Sequence, residues 1–328
     1  MKDVGLVGLP FAGKSTVFTA LTKVGAAGGR ANQAVVSVPD HRLGVLAALE
    51  RSRRIVQAQV RFLDVPGGTA SAQGLAALRE VDALCIVLRT FGPDPSPALD
   101  LAKVREELLL ADLAVVDSAL ANARRRSRAH AKQGEAETEL LERAEQILSA
   151  EVPLREAELS DADRRVLRGL APLTLKPWVI VANVEEGRPL PEGLPDGAVG
   201  VWAAVEAETA GMPEEDARAL LSEFGVDEPG LDALIRASYQ ALDLLTFLTT
   251  GEDETRAWEV RRGASAPEAA GVVHTDLQRG FIRAEVVSYD DLVAAGGWDA
   301  AKAKGLLRVE GKDYVVREGD ILHVRFAV

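Results

Sequence analysis

Residues 8 to 15 read Gly-Leu-Pro-Phe-Ala-Gly-Lys-Ser: a glycine, four residues, then Gly-Lys-Ser. The apolar run Val4-Gly5-Leu6-Val7 precedes them, and Thr16-Val17-Phe18-Thr19-Ala20-Leu21 follows. A short bounded apolar run reads as a buried strand, and the segment after the loop reads as a helix. Strand, glycine loop and helix in that order tie the start of the chain to an α/β design. The loop N–H groups and the positive end of the helix dipole then converge on one point, which suits a phosphate. In this pattern Lys14 reaches the β- and γ-phosphates and the Ser15 hydroxyl ligates Mg²⁺. The expected nucleotide contacts here are Gly8, Pro10, Phe11, Ala12, Gly13, Lys14, Ser15 and Thr16.

The rest of the chain supports a parallel sheet with helices on both faces. Gln57 to Leu63 alternates polar and apolar residues and ends at Asp64, while Ala83 to Leu88 is continuously apolar. Trp178 to Ala182 and Val199 to Ala203 read as further buried strands. Between these groups, Leu101 to Ile147 is rich in Ala, Leu, Glu and Arg. Leu101, Val104, Leu108, Ala111 and Val115 form one stripe, and Leu140, Leu141, Ala144, Ile147 and Leu148 form a second. With a turn at Lys132-Gln133-Gly134-Glu135, these predict an antiparallel helical hairpin.

Pro213 to Glu223 and Gly230 to Leu244 read as two more helices. From about Thr246 the segments shorten, with strands expected at Phe281 to Val287, Asp313 to Val316 and Ile321 to Val328. The expected organisation is a P-loop domain over 1–100 and 172–245, an inserted helical hairpin over 101–171, and a small α+β domain over 246–328.

Composition removes several function classes. The formal net charge of −12 argues against general binding of free DNA or RNA, because phosphate affinity rests on Lys and Arg. Docking through local basic patches stays open, and two exist: Arg51-Ser52-Arg53-Arg54 and Arg124-Arg125-Arg126-Ser127-Arg128. Each also reads as a solvated helix face or loop. The single cysteine, Cys85, lies in an apolar run and reads as an inert core residue. Met1 runs almost directly into a strand and no apolar stretch is long enough for a bilayer, so a cytoplasmic location is expected. His41, His130, His274 and His323 are too dispersed to suggest a metal enzyme.

Two further elements separate a nucleotide switch from a small-molecule kinase. Asp64-Val65-Pro66-Gly67 fits Asp-x-x-Gly: Asp64 would hold Mg²⁺ through a water, and the Gly67 N–H could sense a γ-phosphate. Asn183-Val184-Glu185-Glu186 follows an apolar strand where a base-reading loop belongs. Guanine-specific loops read Asn-Lys-x-Asp there. Val184 and Glu186 replace the Lys and Asp, which weakens the guanine preference. Ala203-Ala204 would form the remaining wall of the base pocket.

The chain resembles the YchF-type Obg-like ATPases, of the TRAFAC class of P-loop NTPases, over nearly its whole length. The residues that carry the resemblance most strongly are C-terminal. They are Arg256-Ala257-Trp258, Gly263 to Asp276 with Ala266-Pro267 and His274-Thr275-Asp276, Arg279 to Val286, Tyr289-Asp290-Asp291 and Glu310 to Tyr314. This stretch looks like a TGS domain, a ubiquitin-like β-grasp module. The resemblance implies ATP, or GTP, with Mg²⁺, and a monomer associating with ribosomal RNA or protein through the hairpin and TGS domain. It also implies a role in translation or stress, with the Asn-x-x-Glu loop accompanying ATP preference.

Three departures from the family pattern bear on hydrolysis. Phe11-Ala12 replace an Asn-Val whose Asn supports the phosphates or a monovalent cation. The first switch is short: Ala31-Asn32-Gln33-Ala34 runs almost straight into Val35 to Leu43, and Ser37 is the only hydroxyl near the missing Mg²⁺-ligating threonine. The second switch is reduced to Asp64 to Ala70; no Gln follows Gly67 until Gln73, but the resemblance implies that the family dispenses with that glutamine. The expectation is slow or lost hydrolysis, with Lys14, Asp64 and Gly67 as the catalytic set. Three readings stay open: a slow NTPase switch, a non-hydrolysing nucleotide-binding adaptor, and a P-loop kinase. The last is weakened by the lack of an Arg-rich lid. His274 reads as a structural or partner-contact residue.

Overall fold

The computed structural model describes residues 1–24, 32–129, 135–209, 211–226 and 229–327. The strands are β1 (Lys2–Val7), β2 (Gln33–Ser37), β3 (Ile55–Val56), β4 (Gln59–Asp64), β5 (Ala83–Thr90), β6 (Trp178–Val184), β7 (Val199–Val201), β8 (Leu244–Thr249), β9 (Thr255–Arg261), β10 (Phe281–Ser288), β11 (Arg308–Glu310) and β12 (Asp320–Phe326). The helices are α1 (Lys14–Val24), α2 (Arg42–Glu50), α3 (Ala72–Glu80), α4 (Pro97–Ala129), α5 (Glu135–Ser149), α6 (Asp161–Leu167), α7 (Ala203–Thr209), α8 (Glu214–Glu223), α9 (Gly230–Ala241), α10 (Ala266–Val273), α11 (Thr275–Arg279), α12 (Tyr289–Ala295) and α13 (Trp298–Ala303). The chain divides into two compact units. One is Lys2–Val36 with Arg61–Ser238, and the other is Ser37–Val60 with Tyr239–Val328 and Met1.

The expected parallel α/β sheet is present, in the order β2-β4-β1-β5-β6-β7. β1 pairs with β5, β5 with β6, and β6 with β7, all parallel. Ala83 to Leu88 are buried throughout, as a central strand covered on both faces requires. β6 runs two residues past the expected end at Ala182, so Asn183 and Val184 belong to the strand. Parallel pairing of Arg89 with Asn183 and Thr90 with Val184 carries it on.

The helical stripes divide between two cores. Val104 and Leu108 of α4 are buried with Val7, Ile86 and Leu88 of the sheet and with Val65 just beyond β4. Farther along, Leu109, Val116, Leu120 and Ala123 pack on Leu140, Leu141, Ala144 and Leu148 of α5. The second half of the α4 stripe therefore passes through Val116 rather than the expected Val115. The turn expected at Lys132-Gln133-Gly134 lies outside the described residues. The fully buried Asp112 anchors α4: its carboxylate accepts from Leu173 N at 2.9 Å, Thr174 N at 2.7 Å and Arg79 Nη1 at 2.9 Å.

The second unit holds a mixed sheet in the order β11-β10-β12-β8-β9-β3. β10 and β12 pair antiparallel, β12 and β8 parallel, and β8 and β9 antiparallel. α10 covers this sheet through Ala266, Ala269 and Ala270, against Phe247, Val286 and Leu322. A Ser265–Glu268 capping box starts that helix. Two-residue β3 pairs parallel with Thr255 and Arg256 at the sheet edge. The strand expected at Asp313 to Val316 is only a single bridge, Ser265 to Val315. The segment is held instead by Ala266 N on Tyr314 O (2.8 Å) and by the Tyr314 hydroxyl on Asp320 Oδ2 (2.7 Å).

Candidate functional site

The loop between β1 and α1 leaves the sheet beside the C-terminal ends of β5 and β6. Ala12 N donates to Leu9 O at 3.2 Å, and Thr16 N and Val17 N both donate to Gly13 O at 3.0 Å, starting α1. Gly13 takes φ +83°, and a Cβ there would lie 2.0 Å from Asn183 Nδ2 and 3.3 Å from Phe91 Cε1. Only glycine meets both demands. Asn183 is buried and its Nδ2 donates to Ala12 O at 3.4 Å, while its carbonyl accepts from Thr90 Oγ1 at 2.6 Å. The asparagine thus joins the end of β6 to the phosphate loop.

Lys14 Nζ donates to Gly8 O and Leu9 O, each at 2.8 Å. Burial pushes its pKa below the usual lysine value, and the carboxylates of Asp64 and Glu107 oppose that shift. Ser15 and Thr16 stand exposed in the first helical turn. Pro10 is exposed, and Phe11, at φ +65°, is 89% exposed, with its ring turned to solvent.

Asp64 ends β4, half-buried, and its N–H donates to Asn32 O at 3.2 Å. Gly67 takes φ +78° and starts a 3₁₀ turn over Gly68–Ala70, closed by Ala70 N on Gly67 O at 3.0 Å. A Cβ on Gly67 would lie 2.3 Å from Ser71 Oγ, which caps α3 through Gly74 N at 3.0 Å. Thr69 Oγ1 donates to Glu107 Oε2 of α4. Sequence reasoning missed Glu107 and Phe91. Glu107 is one of many acids on an amphipathic helix, and only tertiary packing selects it.

The base-loop residues are less gathered than expected. Val184 is buried within β6, and Glu186 is exposed in a turn closed by Arg188 N on Glu185 O at 3.1 Å. β7 ends at Val201, so Ala203 and Ala204 form the first turn of α7, with Ala203 buried and Ala204 exposed. The buried Glu206 fixes that turn. Its oxygens accept from Trp202 N at 2.9 Å and Leu231 N at 2.7 Å, and burial pushes its pKa up. Ser37, the hydroxyl near the shortened first switch, is the last residue of β2; Ala31 lies outside the described residues.

The oxygen donors fit magnesium: a serine hydroxyl and one carboxylate are hard ligands, and Mg²⁺ takes the rest of its shell from phosphates and water. Among the described residues no group of three or more His, Cys, Asp or Glu could form a protein cage for a metal. No helix among them is long and apolar enough to cross a membrane. His274 is exposed, and its Nδ1 accepts from Asp276 N at 3.2 Å, capping α11.

A phosphate loop between a parallel strand and its helix, with Asp-x-x-Gly at the end of the adjacent strand, defines a P-loop nucleotide-binding fold of the GTPase type. Comparison with known proteins narrows this class. Residues 3–116 match the family model described as "50S ribosome-binding GTPase", and residues 244–327 match YchF-GTPase_C, described as "Protein of unknown function (DUF933)". The ribosome-binding ATPase YchF of Bacillus subtilis is 37% identical over 361 residues, covering 99% of each chain. That of Haemophilus ducreyi is 38% identical over 358 residues, again covering 99% of each. The structure of the Schizosaccharomyces pombe YchF GTPase superposes with a TM-score of 0.90 at 30% identity, covering 99% of this chain and 97% of that one. The chain belongs to the YchF family.

Proposed function

We propose that the chain binds a nucleoside triphosphate with magnesium at the 8–15 loop, and that its nucleotide state governs association with ribosomes. The observation that carries the site is the Asn183–Ala12 hydrogen bond at 3.4 Å, which joins a base-loop strand to a phosphate loop. The ribosome enters through the relatives, which are ribosome-binding ATPases by name. The bacterial relatives are named ATPases and the Schizosaccharomyces pombe structure a GTPase; Val184 and Glu186, in place of a guanine-reading Lys and Asp, support ATP for this chain.

In this reading the N–H groups opening α1 bind phosphate, and Lys14 leaves the carbonyls of Gly8 and Leu9 for the β- and γ-phosphates. Ser15 and Asp64 would hold the magnesium ion, which neutralises phosphate charge when bound. The Gly67 N–H would sense the γ-phosphate, and Ala203 and Ala204 would border the base. Positioning and charge stabilisation dominate phosphoryl transfer, so a chain with a short first switch hydrolyses slowly. A non-hydrolysing adaptor is the second reading, favoured by the exposed Phe11 ring where a polar phosphate support would serve. The kinase reading is set aside, because full-length relatives carry the ATPase name.

The domain scheme follows the same proposal: P-loop domain over 1–100 and 172–245, hairpin over 101–171, TGS domain over 246–328, acting as a cytoplasmic monomer without affinity for free DNA. The hairpin and TGS domain are the ribosome-facing parts. Their arginines are not bare charge. In the hairpin Arg124 pairs with Glu142 at 2.8 Å and Arg126 with Glu137 at 2.9 Å; the other basic patch, Arg53 and Arg54 of the 1–100 segment, lies 3.5 and 3.6 Å from Asp253 and Glu254 of the TGS segment. Co-sedimentation with ribosomes in ATP, in ADP and without nucleotide tests the proposal. Pelleting that differs with nucleotide supports it, and no pelleting in any state contradicts it.

A further inference from the structure

Glu107, on the long helix α4, reaches the turn that follows Gly67. Val104 and Leu108, on either side of it, are fully buried in a cluster with Val7 and Val65, and Leu9 packs against that cluster. These residues flank the phosphate loop and the Asp-x-x-Gly turn, so the Glu107 backbone cannot shift without unpacking both. Its carboxylate accepts from Thr69, in the middle of the 3₁₀ turn that follows Gly67. We propose that Glu107 discriminates between nucleoside diphosphate and triphosphate, latching the turn after Gly67 through Thr69 until a third phosphate displaces it. The inference rests on the nucleotide site proposed above.

Glu107 is held at the turn after Gly67 by its bond from Thr69, while Lys14 stays on the carbonyls of Gly8 and Leu9. A diphosphate and its magnesium engage the loop, Lys14 and Ser15. A third phosphate adds negative charge toward Gly67, two residues from Thr69, and meets the fixed carboxylate of Glu107. Like charges repel, and the repulsion weakens the triphosphate selectively. Relief comes when the Thr69 bond breaks and the turn moves.

Two variants separate the charge from the bond. Glu107→Gln keeps an acceptor for Thr69 and removes the charge; Thr69→Val keeps the charge and removes the donor. Wild type and Glu107→Gln would be titrated with fluorescent ATP and ADP analogues in Mg²⁺, at low and high salt. The ratio of ATP to ADP affinity should rise about five-fold in Glu107→Gln at low salt and less at high salt. A purely structural glutamate would leave that ratio unchanged. Thr69→Val should speed amide exchange at Gly68 to Ala70 in the nucleotide-free protein toward the rate wild type shows with ATP. Wild-type binding with an unchanged or lowered ratio in Glu107→Gln overturns the inference and leaves the site standing, as does unaltered exchange in Thr69→Val. Absence of binding by wild type overturns both.

Discussion

Asn183 stands over Gly13 so closely that a Cβ on the glycine would lie 2.0 Å from the asparagine's Nδ2. The two residues are 170 positions apart in the chain, yet they fix the phosphate loop against the end of β6. The loop therefore owes its shape to a strand end as much as to its own motif.

Gly13→Ala should uncouple the loop from that strand. The added methyl meets Asn183 and also sits at φ +83°, where an L-residue is strained by about 1–3 kcal/mol. Nucleotide affinity should fall by at least about ten-fold, the effect of about 1.4 kcal/mol, with a modest fall in melting temperature. Titration with a fluorescent ATP analogue beside a thermal melt checks this. Unchanged affinity would mean that the loop does not bind phosphate in this conformation.

Much of this was legible in the sequence, for local reasons. The Gly8 to Ser15 motif lies between its strand and helix as the apolar runs indicate, and α5 follows its stripe, while α4 follows its own only as far as Leu108 before shifting to Val116. What was not legible depends on distant partners. Ile55 and Val56 form a strand only because Thr255 and Arg256, two hundred residues on, offer an edge. Glu107 gains meaning only from Thr69, and Asn183 joins β6 only through the parallel register with β5. The apolar character around Tyr314 and Val315 suggested a strand, but the segment is tied to α10 and Asp320 instead.

The attachment of α4 to the sheet should depend on Asp112. Asp112→Ala leaves Leu173 N and Thr174 N without their buried acceptor and Arg79 without its counter-charge. Removing one partner from a buried pair costs about 3–5 kcal/mol. Urea unfolding of the variant measures this, and a loss below about 1 kcal/mol would contradict the anchoring role.

Cys85 should make stability fall in alkali. It is fully buried, and burial pushes its thiol up to about 12 from 9.0. The unfolded chain releases this proton near pH 9.0 while the fold retains it to about 12. Between those values rising pH favours the unfolded state, by about 1.4 kcal/mol per pH unit at most. The contribution is complete below pH 9.0 and is lost as pH climbs toward about 12. Wild type should lose more stability than Cys85→Ala across that window, and its thiol should resist labelling at neutral pH until denatured. Equal slopes or ready labelling would contradict this burial.

Base preference should respond to Glu186 alone. Val184 is buried within β6, so the paired swap toward Asn-Lys-x-Asp would place an ammonium in the core. Glu186 is exposed, and Glu186→Asp restores the shorter carboxylate of guanine-reading loops. The ratio of GTP to ATP affinity should rise by a few-fold. Competition titration reads it, and an unaltered ratio would place base reading elsewhere.

The most direct test of the account is titration of the purified chain with fluorescent ATP and GTP analogues in Mg²⁺, with single-turnover phosphate release followed on the same sample. Binding should depend on magnesium and favour ATP, with slow release. Absence of binding to both nucleotides would contradict it, because Lys14, Ser15, Asp64 and Asn183 would then form a loop with no ligand.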